Sequence, residues 1–379
     1  MSEPGKAVPC PYKSLPGHAY WRRGVSAVAP DQIDPVVAPR FTITAADKVA
    51  TAGSCFAQHI ARYIRNGGGS YFVTEPGHPI LGAERLAEYN YGTFSARFGN
   101  LYTVRQLLQM LQRAYGLRTP LDDVWIERDG SLTDPFRPFI QPGGFACAAE
   151  FAADRAQHYA AIRRMVEESD VFVFTLGLTE AWENAQDGTV YAICPGCGAG
   201  THHEGESRFH NFSVTEVTED LHQVVAFLRA RNPALRVLLT VSPVPLIATF
   251  SGQHVLAATT YSKSVLRVAA QMMTDTYDFV DYFPSYEIIT AAFSRGAYFA
   301  EDLREVEEIG VAHAMRTFFR HYCTGFAPAD TTAPSPPPAP APSAAAKPES
   351  VSSRLSSVIC DEERLIDAVE EKPRGTVKG

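Results

Sequence analysis

Three short runs constrain the fold of this chain more than any other feature: KVATA (48–52), VFVFTL (171–176) and RVLLTV (236–241). Each is apolar on successive residues rather than on alternate ones, the pattern of a strand buried on both faces. The stretches between them have helical spacing. In SCFAQHIARYIRN (54–66), Phe56, Ile60 and Ile64 recur at i, i+4 and i+8, and Gly67–Gly69 stop the helix. VRQLLQMLQRAYG (104–116) carries Leu107, Leu108 and Leu111 in the same way. Further helices are expected over about 150–168, 215–233, 258–273 and 305–322. Buried strands alternating with helices predict an α/β fold, a three-layer flavodoxin-like sandwich with a parallel sheet and a long insertion before the third strand. Ligands of such sheets sit at the C-terminal ends of the strands. Three loops, Gly53–Phe56, Gly177–Glu180 and Ser242–Pro245, are therefore expected to share one crevice.

With 379 residues, 45% hydrophobic and 20% charged, the chain is long enough to bury a sizeable core. The reading is an N-terminal extension (1–19), one main domain (20–326) and a C-terminal tail (327–379). Pro, Ala and Ser dominate the tail, which is expected to be extended and disordered; 356–372 is able to form a short amphipathic helix. Lys and Arg number 34 against 42 Asp and Glu, so the net charge of −8 gives no pull toward nucleic acid or an anionic membrane. No run approaches the roughly 18–20 apolar residues of a spanning helix, and the N-terminus has no apolar leader core, so the expected location is cytoplasmic. The seven cysteines (Cys10, Cys55, Cys147, Cys194, Cys197, Cys323 and Cys360) are odd in number and scattered. That reads as free thiols, catalytic groups or metal ligands rather than a disulfide framework.

AGSCFA (52–57) lies at a strand-to-helix turn. Gly53 permits a sharp bend, and the helix N-terminus lowers a thiol pKa and stabilises an oxyanion, so Ser54 and Cys55 are candidate nucleophiles. The bland alternative is that Ser54 caps the helix and Cys55 is a small apolar core residue. His59 stands four residues after Cys55, on the same helical face. Cys194 and Cys197 form C-x-x-C with His202 and His203 close behind, donors that are able to bind zinc; a plain turn is the commoner outcome. Arg97, Arg105 and Arg137 either clamp an anionic substrate group or form structural ion pairs. Tyr91, Tyr102, Trp182, Tyr191 and Tyr286 either line a sugar-binding wall or pack in the core. No phosphate-cradling loop or dinucleotide fingerprint is present, and no metal or organic cofactor is expected.

GSCFA, together with SARFGNLYTVRQLLQ (95–109), TLGLTEAW (175–182), NFSV (211–214), VSPVPL (241–246) and YFPSYEI (282–288), resembles the GSCFA family over about residues 20–322. That family is grouped with the SGNH/GDSL hydrolases. The resemblance implies an acyl esterase or O-acyltransferase acting through a covalent acyl-enzyme on a small-molecule or carbohydrate ester. The alternative is a non-catalytic ligand- or glycan-binding module. It also implies a Gly-x-Ser nucleophile turn. The ungapped match puts Cys55 at the serine, whereas a shift by one puts Ser54 there. Gly99 and Asn100 fit the glycine block. Gly177-Leu178-Thr179-Glu180 fits Gly-x-Asn-Asp, with Thr179 as the oxyanion donor in place of Asn. The terminal Asp-x-x-His becomes Asp302-Leu303-Arg304-Glu305. Without that histidine the base falls to His59, helped by Asp302 or Glu305. His313 and His321 are expected to pack, and Asp302 has the alternative role of capping the last helix.

Overall fold

The three apolar runs form neighbouring strands of one sheet. The computed structural model describes residues 10–328; the first nine residues, most of the Pro/Ala/Ser tail and the 356–372 segment lie outside the described residues. In chain order the main elements are β1 (Val49–Gly53), α1 (Ala57–Asn66), α2 (Val104–Ala114), α3 (Ala148–Glu168), β2 (Val171–Leu176), β3 (Glu180–Asn184), β4 (Ser207–Asn211), α4 (Val214–Arg231), β5 (Arg236–Val241), α5 (Val255–Thr276), β6 (Val280–Tyr282) and α6 (Glu308–Tyr322). β1, β2, β5 and β6 pair in that order, all parallel, with Gly53 opposite Thr175 and Thr175 opposite Thr240.

Alternation along the strands divides the core. Ala50, Ala52, Phe172, Phe174, Val237, Leu239 and Val241 face α2, α3, α4 and α5. Val49, Val171, Val173 and Leu238 face α1 and α6. Helices on both faces of a parallel sheet make the expected three-layer α/β sandwich. Side-chain capping starts three helices; on α5, His254 Nδ1 accepts from the Leu256 amide. Thr103 with Gln106 and Ser213 with Glu216 form capping boxes on α2 and α4. Among the described residues no helix is long and apolar enough to cross a membrane.

Two expectations change. The long insertion expected before the third strand is divided. The larger excursion lies between α1 and α3, before β2, and the β3–β4 hairpin separates β2 from β5. Outside α2, residues 67–147 show little periodicity, because buried charges hold much of this segment. Arg97, 1% exposed, pairs with Asp154 at 2.8 Å and donates to the carbonyls of Tyr89 and Ile140. Arg137 pairs with Asp134 at 2.9 Å and with Asp154 at 2.8 Å. Arg105 bonds Asp220 at 2.7 Å and ties α2 to α4. All three arginines are therefore structural ion-pair partners rather than free anion clamps.

The last helix also starts later than expected. Its N-cap is Glu307 and its first residue Glu308, so Asp302 does not cap it. Asp302 Oδ1 instead accepts from the amides of Arg304 and Glu305, closing a local turn in which Leu303 has φ +57°. His313 and His321 pack as expected. His313 bonds Tyr298 and the Ile33 carbonyl, and His321 bonds Asp34, so the segment before β1 is fastened to α6.

Candidate functional site

β1 ends at Gly53 with φ +132°, where a Cβ would stand 2.3 Å from the Thr175 carbonyl oxygen. Only glycine fits this close crossing of adjacent strands. The chain then turns through residues 54–56. Ser54 N–H donates to Thr175 O, and the Ala57 and Gln58 amides donate to the Ser54 and Cys55 carbonyls. Helix α1 begins at Ala57 with Phe56 as N-cap and no side-chain cap, so Ser54 does not cap it. Ser54 is 2% exposed and Cys55 5%. The Ser54 Oγ has no hydrogen-bond partner, an arrangement that leaves buried polar capacity unused.

Two further segments meet this turn. Leu101 N–H donates to Gly53 O at 2.8 Å, and the Tyr102 carbonyl accepts from both Gly177 and Leu178. A Cβ on Gly177 would lie 2.9 Å from Tyr102 O and 3.1 Å from Ser54 Cβ. The turn, the Asn100–Tyr102 segment and the start of the 177–180 loop thus converge at the C-terminal ends of β1 and β2. Gly99, with φ +71°, leads into the buried Asn100. The third expected loop joins at the same sheet end, where Ser242 N–H donates to Leu176 O.

Thr179 is fully buried. Its hydroxyl donates to Asn211 Oδ1 at 2.7 Å and its amide to Ser262 Oγ at 3.0 Å. The hydroxyl proton expected to meet an oxyanion is directed at Asn211 instead. Glu180 accepts from Thr249 Oγ1 and the Phe250 amide. Sequence reasoning missed Lys263, which is 1% exposed and donates from Nζ to Gly177 O at 2.7 Å. The available signal was a Ser-Lys pair on the face of α5 that also buries Ala258, Leu266 and Ala269.

A cavity of about 550 Å³ opens beside this cluster. Tyr102 and Leu178 form one wall, with Trp182, Phe209, Leu246 and Phe250 among its other apolar sides. Trp182 meets Phe250 edge to face at 5.0 Å. Tyr191 also lines the cavity, whereas Tyr91 lies under the Arg97 guanidinium and Tyr286 packs against the main core. Neither Ser54 nor Cys55 lines the cavity, although Tyr102 and Leu178, which are hydrogen-bonded to each other beside the turn, do.

His59 is engaged elsewhere. Its Nδ1 lies 3.3 Å from Arg62 Nη2, which pairs with Glu308 at 2.8 Å. An arginine only donates, so Nδ1 accepts and the hydrogen of the neutral ring is on Nε2. Burial and then the Arg62 charge pull the His59 pKa down to about 4, keeping the ring neutral at pH 7. Asp302 and Glu305 were expected to assist this ring; both are exposed in the turn before α6. Glu308 is the carboxylate near His59, because the later helix start carries it to Arg62 and the Tyr63 hydroxyl.

Cys194 and Cys197 line the cavity with His202, whose ring meets Trp182 edge on. Among the described residues no group of three or more His, Cys, Asp or Glu side chains is arranged to hold a metal ion.

The model of the GSCFA family matches residues 48–318, and the chain belongs to that family. The match includes all six sequence blocks and the Asp302–Glu305 segment. No curated protein matches the chain significantly.

Proposed function

We propose that this protein is an SGNH-like acyl esterase or O-acyltransferase that works through a covalent acyl-enzyme, with a small-molecule or carbohydrate ester as substrate. The observation that supports it most is the partnerless Ser54 hydroxyl, set at the end of β1 against Gly177 and one residue from the cavity wall. The nucleophile comes from the Ser54–Cys55 pair; the ungapped family match favours Cys55, and the unused hydroxyl favours Ser54. The amide side of the 53–56 turn and the Gly99–Asn100 segment receive the oxyanion. His59 is neutral above about pH 4 and serves as base once Arg62 turns wholly to Glu308. The cavity takes the apolar part of the substrate. We assign 20–326 as the domain and the cytoplasm as its location, consistent with the six described cysteines forming no disulfide.

An activated ester and an acyl-directed phosphonate, followed by peptide mapping, test this reading. The expected adduct lies on Ser54 or Cys55, and hydroxylamine at neutral pH releases only the thioester. A second reading, a non-catalytic binding module, draws support from Glu305 at the histidine position and its exposure. Ligand binding in the cavity without any adduct at residues 54–55 would favour it and overturn the enzyme.

A further inference from the structure

The C-x-x-C turn has geometry that the acyl-transfer reading does not use. Cys197 N–H donates to Cys194 O at 3.0 Å, and Gly196 N–H donates to Ala199 O at 2.8 Å. Gly196 has φ +88°, which lets four residues close tightly. Such a turn holds its first and fourth Cα atoms within about 7 Å, the span a disulfide bridges. Both cysteines are partly exposed and both line the apolar cavity. Cys10 and Cys147 are exposed without such a partner in sequence, and Cys55 is buried.

We propose that Cys194 and Cys197 form a thiol–disulfide exchange site whose co-substrates are small organic disulfides with apolar or aromatic substituents. Cys194 Sγ donates to the Pro195 carbonyl at 3.6 Å, within the turn that Cys197 closes. The neighbouring thiol and burial push Cys194 up, and Cys194 brings Cys197 down to about 7, so Cys197 is the attacking thiolate. Glu180, His202, Tyr102 and Tyr191 are the other titratable groups around the cavity.

The exchange balances in two steps. The Cys197 thiolate attacks one sulfur of the small disulfide, whose S–S bond breaks; one thiolate leaves and takes a proton from water. A mixed disulfide remains on Cys197. Cys194 gives its proton to water and attacks the Cys197 sulfur, and the second small thiolate leaves. Two protein thiols are oxidised to a disulfide and one small disulfide is reduced to two thiols. The cavity walls beside the pair favour uncharged aromatic substituents.

The test uses 4,4′-dithiodipyridine on the full chain, with thiopyridone release followed by absorbance and the product mapped by mass spectrometry. The expected fast phase releases two thiopyridones and leaves a Cys194–Cys197 bridge, the chain lighter by two hydrogens. Its rate should rise with pH with a midpoint near 7. Cys197→Ser should slow that phase by about tenfold or more. Cys194→Ser should release one thiopyridone and keep the mixed disulfide. A stable mixed disulfide in the wild type, or a fast phase that maps to other cysteines, overturns the proposal. Mapping the wild-type product gives that answer even if a variant does not fold.

Discussion

Two buried polar regions of this molecule are built in opposite ways. Where the segment between α1 and α3 packs on α3, full charges oppose one another: Arg97 and Arg137 against Asp134 and Asp154, with Glu75 2.8 Å from His158. At the C-terminal end of the sheet small hydroxyls gather beside the buried Lys263 and Asn211, and those of Ser54 and Thr175 have no partner. The first region uses its polarity to fasten a segment with little regular structure. The second leaves polarity unmatched where three loops and a cavity meet. A buried charge must be matched for the fold to survive, whereas an unmatched hydroxyl costs far less.

The largest effect should come from breaking the charged side of this contrast. Arg97→Met leaves Asp154 without one of its two arginines, and urea unfolding should show a loss of about 3–5 kcal/mol. A loss below about 1 kcal/mol would mean that the network is not the fastening.

Acid should act on the same region. Burial pushes the Glu75 carboxyl up, but His158, Arg137 and the Arg97 amide outweigh it and hold the group at about 2. Burial and Arg137 hold His158 below its usual value, so a neutral imidazole donating to the carboxylate is the state consistent with both. A depressed carboxyl contributes stability that is complete above about pH 4.5 and is lost as pH falls toward 2. The unfolding midpoint should drop across that window, and Glu75→Gln should flatten the slope there. An unchanged slope would remove Glu75 from the network's energetics. His59, depressed to about 4, adds a separate loss between about pH 6.5 and 4.

At the sheet end, Lys263→Met strips the Gly177 carbonyl of its Nζ donor and should cost about 1–2 kcal/mol in the same unfolding assay. A cost as large as that of Arg97→Met would erase the contrast. The smallest change belongs to Ser54→Ala, within about 0.5 kcal/mol, because its hydroxyl bonds nothing. A larger loss would show that the hydroxyl is structural.

The sheet was legible because burial on both faces writes an apolar residue at nearly every position of VFVFTL. The crevice followed from topology, since parallel strands bring their C-terminal loops together. Local backbone detail was less legible: Gly53 and the turn after it delay α1 to Ala57, and the Asp302 turn delays α6 to Glu308. Lys263, Ser262 and Asn211 reach the 177–179 loop through space from α5 and β4, and their spacing in the chain carries no sign of it. The ion pairs likewise join residues from Glu75 to His158 with no periodicity to announce them.

One carbonyl links the cavity to the turn. Tyr102 lines the cavity, while its backbone oxygen clasps Gly177 and Leu178 and the preceding amide, of Leu101, clasps Gly53. The cavity wall and the seat beneath Ser54 thus share one strip of backbone. A displacement of the Tyr102 backbone would therefore disturb the cavity wall and the hydrogen bonds that seat the turn together.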